Sequence, residues 1–363
     1  MGNNFNRYEE IQAIRDHKVI WCIAMKIYAF WNNKGGTGKT SLAFQALTRY
    51  AELHPTEQIF AADLCPQSNL SELLLGGLTG NGSNNLLSLH ENTRRRSVGG
   101  YFQTRLPSPY SAPSITPDDF ISIPQHFNPL IPENVDLLAG DPLLELQSNA
   151  TATLANTQVP GTDTWLSVVD WLRDFLNVVE DRYDAVFIDA NPSFAIYTQI
   201  ALSAANFLVL PVMADDSSRR ALQNVFSLIY GVALPSPIYK QYSFTTKLED
   251  ADRALPKVHL IAKNRITQYM GSASAYSTVL KTIDTVVSDM MERMPDKFSF
   301  DIIKDGIVEV RDFQTTGVVA FAKGAPFSKL DPGDAVVMGK KIRVREDYLA
   351  NSIEAVDGIT AKL

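Results

Sequence analysis

The chain has 363 residues, 45% of them hydrophobic, enough for one large α/β domain or two modest ones. Its 33 Lys and Arg stand against 40 Asp and Glu, a net charge of −7, which excludes an overall basic field that draws the protein to nucleic acid or anionic lipid; any such binding rests on a local patch. The two cysteines, Cys22 and Cys65, form no CxxC pair, which excludes a disulfide framework or a cysteine-held metal or iron–sulfur centre within one chain and fits a reducing cytosol.

Residues 1–24 read as an N-terminal extension with a short helix over 8–15 and an apolar run over 19–24. Met25 is a plausible start, because residues 25–31 form a buried strand running straight into a glycine loop. A helix over 41–52 and an apolar strand over 58–63 follow. From 76 to about 132 the composition shifts to Gly, Asn, Ser and Pro, the pattern of a surface insertion. A short strand over 134–139 precedes a helix over 163–181, in which Trp165, Val168, Val169, Leu172, Phe175, Leu176 and Val179 recur at helical spacing behind Thr162 or Asp163 as cap. Apolar strands at 184–189, 207–212 and 258–262 alternate with helices at 198–205 and 217–230. A long helix over 272–294, a last strand over 298–303 and a terminal helix over 346–362 complete the chain. Continuous apolar strands alternating with helices predict a doubly wound, mainly parallel sheet with helices on both faces, in one domain over 25–363. No stretch reaches the roughly 20 apolar residues of a spanning helix, and no signal-peptide pattern opens the chain, so a soluble cytoplasmic protein is expected.

The chemistry centres on Lys34-Gly35-Gly36-Thr37-Gly38-Lys39-Thr40-Ser41. A phosphate chain is bound best by converging backbone N–H groups at a helix N-terminus together with a lysine. Gly35, Gly36 and Gly38 permit that approach, Lys39 reaches the terminal phosphates, and the Thr40 hydroxyl can ligate magnesium. The pattern GxxxxGK[ST] would have glycine at Asn33; this chain instead places Lys34 before the glycine pair. Asp63 and Asp189 end apolar strands beside the loop, where a carboxylate is costly unless it serves a cation or its waters.

These residues carry a resemblance to the deviant Walker A segment of the ParA/MinD family of ATPases, of the ParA partitioning type. Asp63-Leu64-Cys65-Pro66-Gln67-Ser68-Asn69 resembles the family's switch segment, residues 183–193 resemble its Walker B segment, and 207–212 its following strand. The resemblance covers most of residues 25–265. It implies ATP and Mg2+ as ligands, with Thr40, Asp63 and Asp189 toward the metal, and a deviant P-loop fold. Lys34 is implied as the signature lysine that reaches across an ATP-dependent sandwich homodimer; the alternative is an ordinary surface lysine. Asn264 resembles the adenine-contacting asparagine, with a turn asparagine as the equal alternative, and Asp312 and Phe313 fall where a nucleotide-lining loop lies. Cys65 departs from the family, standing where an aspartate orients the attacking water; a neutral thiol accepts hydrogen bonds poorly. Either Asp63 or a neighbour takes that role, or turnover is slow; a redox-sensitive Cys65 is a third reading.

Two functions follow as expectations. One is a cargo-positioning ATPase with Lys34, Lys39 and Asp63 in catalysis, an adaptor or ATPase-stimulating partner, and nonspecific DNA contacts that would make it nucleoid-associated. The patch offered for DNA is Lys340, Lys341, Arg343 and Arg345, with acidic residues flanking it. The other is an ATP-gated dimeric switch with little hydrolysis. The tail over 348–363 lacks the basic amphipathic character of a membrane-surface helix and reads as a core-packing helix.

Overall fold

The computed structural model describes residues 25–111, 114–213, 215–266 and 274–363, with the backbone alone at 216 and 274–279. The expected helix over 8–15, the apolar run over 19–24 and the start of the 272–294 helix lie outside the described residues.

Eight strands form one sheet: β1 Lys26–Phe30, β2 Ile59–Leu64, β3 Ile121–Ser122, β4 Val135–Leu138, β5 Ala185–Ala190, β6 Phe207–Met213, β7 Lys257–Ile266 and β8 Ile307–Arg311, in the order β3-β4-β2-β5-β1-β6-β7-β8. Every pairing is parallel except β3 with β4. A strand turns alternate side chains to opposite faces. Accordingly Ile27, Ala29 and Trp31 enter one hydrophobic core, and Tyr28 and Phe30 the other. Both faces are therefore covered, as the apolar strand runs imply.

Helix α1 Lys39–Leu53 springs from the glycine loop after β1, and the short α2 Asn69–Leu74 follows β2. Helices α3 Gly82–His90 and α4 Val98–Arg105 lie within the glycine-rich stretch. That stretch packs one side against the core while much of residues 78–94 stays exposed. Val98, Tyr101, Phe102, Phe120 and Ile121 are all buried in the same core as Trp171 and Phe175. Arg105, 1% exposed, donates to Asp174 at 2.7 Å and to the Tyr101 hydroxyl at 2.9 Å, so its charge is compensated where it is buried.

Helix α5 Leu143–Asn156 was not legible in the sequence, and the long helix expected over 163–181 breaks at Asp170 into α6 Thr164–Val169 and α7 Trp171–Val178. Asp163 caps the first, accepting from the Leu166 N–H at 2.9 Å. Helices α8 Ile196–Ala204, α9 Asp216–Tyr230, α10 Pro237–Gln241, α11 Phe244–Glu249 and α12 Ser274–Arg293 follow, then α13 Gln314–Lys323. The strand expected over 298–303 is overturned: Phe298 makes one bridge to Val258, a 3-10 turn occupies Ile303–Asp305, and the edge strand is β8. A separate hairpin, β9 Gly333–Val337 and β10 Lys340–Val344, precedes the terminal helix α14 Glu346–Thr360. Leu349, Ala355, Val356 and Ile359 of α14 are buried and pack it on α1 and β8, as a core helix.

Candidate functional site

The site forms at the carboxyl ends of β1, β2 and β5, where parallel α/β sheets open a crevice. In-register pairing of β2 with β5 sets Asp63 directly opposite Asp189. The loop after β1 is held from behind by Asn32, whose side chain donates to Pro211 O at 2.7 Å and accepts from Lys34 N at 2.9 Å. Gly36 and Gly38 have φ of 75° and 85°, a left-handed backbone that glycine alone adopts cheaply. Added Cβ atoms at Gly35 and Gly36 would meet nothing within 4 Å, so these two line open space.

A cavity of 680 Å³ opens there, lined by Gly35, Gly36, Gly38, Lys39, Thr40, Ser41, Cys65 and Asp189 among others. Lys39 Nζ donates to Lys34 O at 3.3 Å, and Thr40 Oγ1 donates to Asp189 Oδ2 at 2.6 Å. Burial pushes the Lys39 pKa down, against the attraction of Asp189. Burial likewise pushes Asp189 up, with the Asp63 charge adding to it and the Thr40 hydrogen bond opposing it. Two buried carboxylates in register disfavour each other's ionisation, and a cation beside Asp189 would favour the charged form. The Thr37 hydroxyl and Asn33 Oδ1 are buried in the loop without a hydrogen-bond partner among the described residues. An open glycine cradle, a lysine, and a hydroxyl–carboxylate pair fit a phosphate chain with a hard divalent cation.

Asp63 is placed differently from the other expected metal residues. It is fully buried and does not line the cavity: Oδ1 accepts from Cys65 N at 3.1 Å, and Oδ2 accepts from Ser71 N at 2.9 Å and Ser71 Oγ at 2.8 Å. Burial raises its pKa, and those hydrogen bonds oppose the rise. Cys65 faces the cavity but is 8% exposed, and burial with the charges of Asp63 and Asp189 pushes its thiol up to about 12. A reactive redox thiol needs a depressed pKa, so that reading fails here.

Lys34 stands off the cavity. Its ammonium pairs with Asp215 Oδ2 at 2.6 Å and donates to Ser217 Oγ. Asp215 caps α9, accepting from Ser218 N at 2.8 Å. Burial is the largest single influence on Asp215 and opposes its ionisation, but Lys34, Ser217 and Ser218 together outweigh it and hold its pKa down to about 2. Sequence reading missed Asp215, although an aspartate and two serines heading a helix were its signal.

A second cavity of 610 Å³ adjoins the first through Gly38 and Ser41 and is lined by Asn264, Arg265, Asp312, Phe313, Gln314 and Phe321. Asp312 and Phe313 line this second cavity and not the first. Asn264 is 3% exposed and its amide is committed: Nδ2 donates to Thr37 O at 2.9 Å, and Oδ1 accepts from Arg265 N at 2.8 Å. It braces the phosphate loop. Arg265 and Gln314 hold φ of 59° and 47°, and such strain in non-glycine residues clusters at functional sites. Leu78 and Phe321, which line both cavities, were also missed, because α13 and the turn after α2 left no periodic trace.

A glycine cradle leading into α1, a lysine and a paired hydroxyl and carboxylate at the carboxyl end of a parallel sheet define a P-loop nucleotide-binding protein. A family model described as an AAA domain matches residues 25–235, and the chain belongs to the ParA/MinD family of ATPases. It is 30% identical over 200 residues to the cell division protein PomZ of Myxococcus xanthus, and 27% identical over 202 residues to the virulence plasmid ParA family protein pGP5-D of Chlamydia psittaci. Each match covers 55% of this chain and, respectively, 50% and 62% of the relative, so the chain spans less than two thirds of either. Among solved structures, an ATP complex of Cyanothece McdA matches with a TM-score of 0.57 at 17% identity, covering 94% of this chain and 98% of that one. A Borrelia burgdorferi plasmid partition protein bound to AMPPNP matches with a TM-score of 0.52 at 14% identity, covering 94% of this chain and 100% of the other. These likenesses show the fold. Among the described residues no helix is long and apolar enough to cross a membrane.

Proposed function

We propose that the chain is a cytoplasmic, ATP-dependent dimeric ATPase that positions or partitions a cargo together with a partner protein. The observation that carries this reading is the convergence of Lys39, Thr40 and Asp189 on one open glycine cradle. Gly35 to Ser41 hold the phosphates, Lys39 neutralises the terminal ones, and Thr40 and Asp189 hold Mg2+, which when bound polarises the phosphoryl oxygens. Asp63 stands behind Asp189 and fixes the charge of the pair. Lys34 leaves Asp215 in the closed dimer for phosphates bound by the second copy. Its present pair is 25% and 42% exposed at the two side chains, and such surface pairs contribute about 0–1 kcal/mol, so polyvalent phosphate outcompetes it. An adaptor docks on the insertion around α3 and α4.

Nonspecific duplex DNA binding falls to the hairpin. Lys340, Lys341 and Arg343 of β10 and Arg345 after it are exposed; Lys341 lies 3.9 Å from Asp334, and Arg345 pairs with Asp347 at 2.7 Å and stacks on Tyr348, exposed pairs with which duplex phosphate competes. In cells this predicts association with the nucleoid.

A second reading is favoured by one specific observation. Cys65 is neutral and Asp63 is buried off the cavity, where it accepts from Cys65 and Ser71, so among the described residues the 63–69 segment presents no carboxylate to the cavity, and the one nearest in sequence that lines it is Glu72. This supports an ATP-gated regulatory dimer with little hydrolysis. Steady-state phosphate release with ATP and Mg2+, with and without duplex DNA, separates the two. Slow release that DNA stimulates and Lys39→Ala abolishes supports the ATPase. A silent wild type with active Cys65→Asp supports the switch, and silence of both with no nucleotide bound overturns both.

A further inference from the structure

The switch segment is tied to the insertion by one unbroken set of hydrogen bonds. Ser71 Oγ, which donates to Asp63, itself accepts from Gly140 N at 2.8 Å. Gly140 lies so close that an added Cβ would stand 2.8 Å from Asp63 Oδ2 and 2.7 Å from Ser68 Oγ. The Gly140 carbonyl accepts from His90 Nε2, the last residue of α3, at 2.9 Å. Next in the chain, Asp141 is fully buried and accepts from Arg95 Nε and Nη2 at 2.5 and 2.7 Å, from Ser97 Oγ at 2.5 Å, and from Leu143 N at 2.9 Å. Ser97 caps α4, and Val98 N donates to Ala139 O at 2.8 Å. The end of α3, the α3–α4 loop and the start of α4 therefore all grip residues 139–141. Those residues in turn set Ser71 against Asp63.

We propose that α3 and α4 control the switch carboxylate, with Arg95 and Asp141 acting as positioning residues that hold Asp63 through Gly140 and Ser71. Displacing the α3–α4 loop moves Asp141, frees the Gly140 N–H from Ser71 Oγ and loosens that hydroxyl, one of the three donors that fix Asp63. The kinetic part of this inference rests on the hydrolytic reading above; the structural part does not.

The test uses the full chain. Arg95, 36% exposed at its side chain, is replaced by Ala and by Lys, each variant being checked for a cooperative melting transition well above the assay temperature. The rate at which maleimide labels Cys65, resolved by peptide mass spectrometry, reports opening of the switch segment, and kcat and the ATP dissociation constant are measured on the same samples. Arg95→Ala is expected to label about fivefold faster and to lose about fivefold in kcat with ATP affinity within about twofold, and Arg95→Lys, which keeps the charge but not the fork, to fall between. If Arg95→Ala does not fold, Ser97→Ala replaces it with the same expectation. Wild-type labelling in a folded variant overturns the proposal whatever kcat does. A wild type that binds ATP without turnover counts against the hydrolytic reading, and the labelling rates still decide this one.

Discussion

Gly38→Ala tests how the phosphate loop is built. At φ 85° an alanine costs about 1–2 kcal/mol from left-handed backbone strain alone. Its Cβ would also stand 2.3 Å from Asn264 Nδ2, displacing the amide that donates to Thr37 O, a carbonyl of a fully buried residue. Losing that bond and leaving the carbonyl unpaired adds about 1–2 kcal/mol, for a total of roughly 2–4 kcal/mol. Asn264→Ala alone costs roughly 1–3 kcal/mol by the same argument. In the Asn264→Ala background the collision is gone, so Gly38→Ala should cost only the strain, about 1–2 kcal/mol, giving a coupling of about 1–2 kcal/mol in a double-mutant cycle. Urea melts of the four nucleotide-free proteins read it. An additive cycle would refute the bracing role of Asn264.

Four further predictions concern the site and the insertion beside it. Asp215 is ordinarily 3.8 and is held at about 2 when folded, so its pairing with Lys34 contributes stability above about pH 4 that is lost as pH falls toward 2; the stability gap between wild type and Asp215→Asn should be flat near neutrality and close over that acid window. Light scattering should show Lys34→Ala monomeric with saturating ATP and Mg2+ where wild type is dimeric, and a monomeric wild type would remove the cross-subunit role of Lys34. Cys65→Asp places a third carboxyl beside Asp63 and Asp189; a rise of about two pKa units on folding costs about 2.7 kcal/mol near pH 7 and nothing below both pKa values, so the variant's deficit should grow with pH and shrink with Mg2+ and ATP. Tyr101→Ala, which removes a buried ring and its bond to Trp171 O at 2.7 Å, should cost about 3–5 kcal/mol in thermal melts; a loss under 1 kcal/mol would show that the insertion is peripheral after all.

The phosphate loop and Walker B strand were legible because their chemistry is local: glycine, lysine and threonine at fixed spacing, and an apolar strand ending in Asp189. The pairing of Asp63 with Asp189 was legible only as two strand ends, and that the first is sealed by Ser71 depends on contacts the sequence does not display. Composition misled at the insertion. Gly99 and Gly100 read as loop residues, yet an added Cβ at either would strike Asp141 or Arg95, so these glycines mark close packing. The hairpin and α13 went unread because their apolar residues follow no clean period and some, Val318 and Val336, are exposed. Asn264 and Lys34 stood out in the sequence, but each is committed to a partner, Thr37 and Asp215, that lies far away in sequence.

Calorimetric titration of ATP with Mg2+ into wild type and Lys39→Ala tests the central claim most directly. The account predicts saturable binding at one site per chain in wild type and a loss of at least about a hundredfold in Lys39→Ala, the Lys39 cation being desolvated and opposed to the phosphates. Equal affinity of the two proteins, or no binding to wild type, would contradict it.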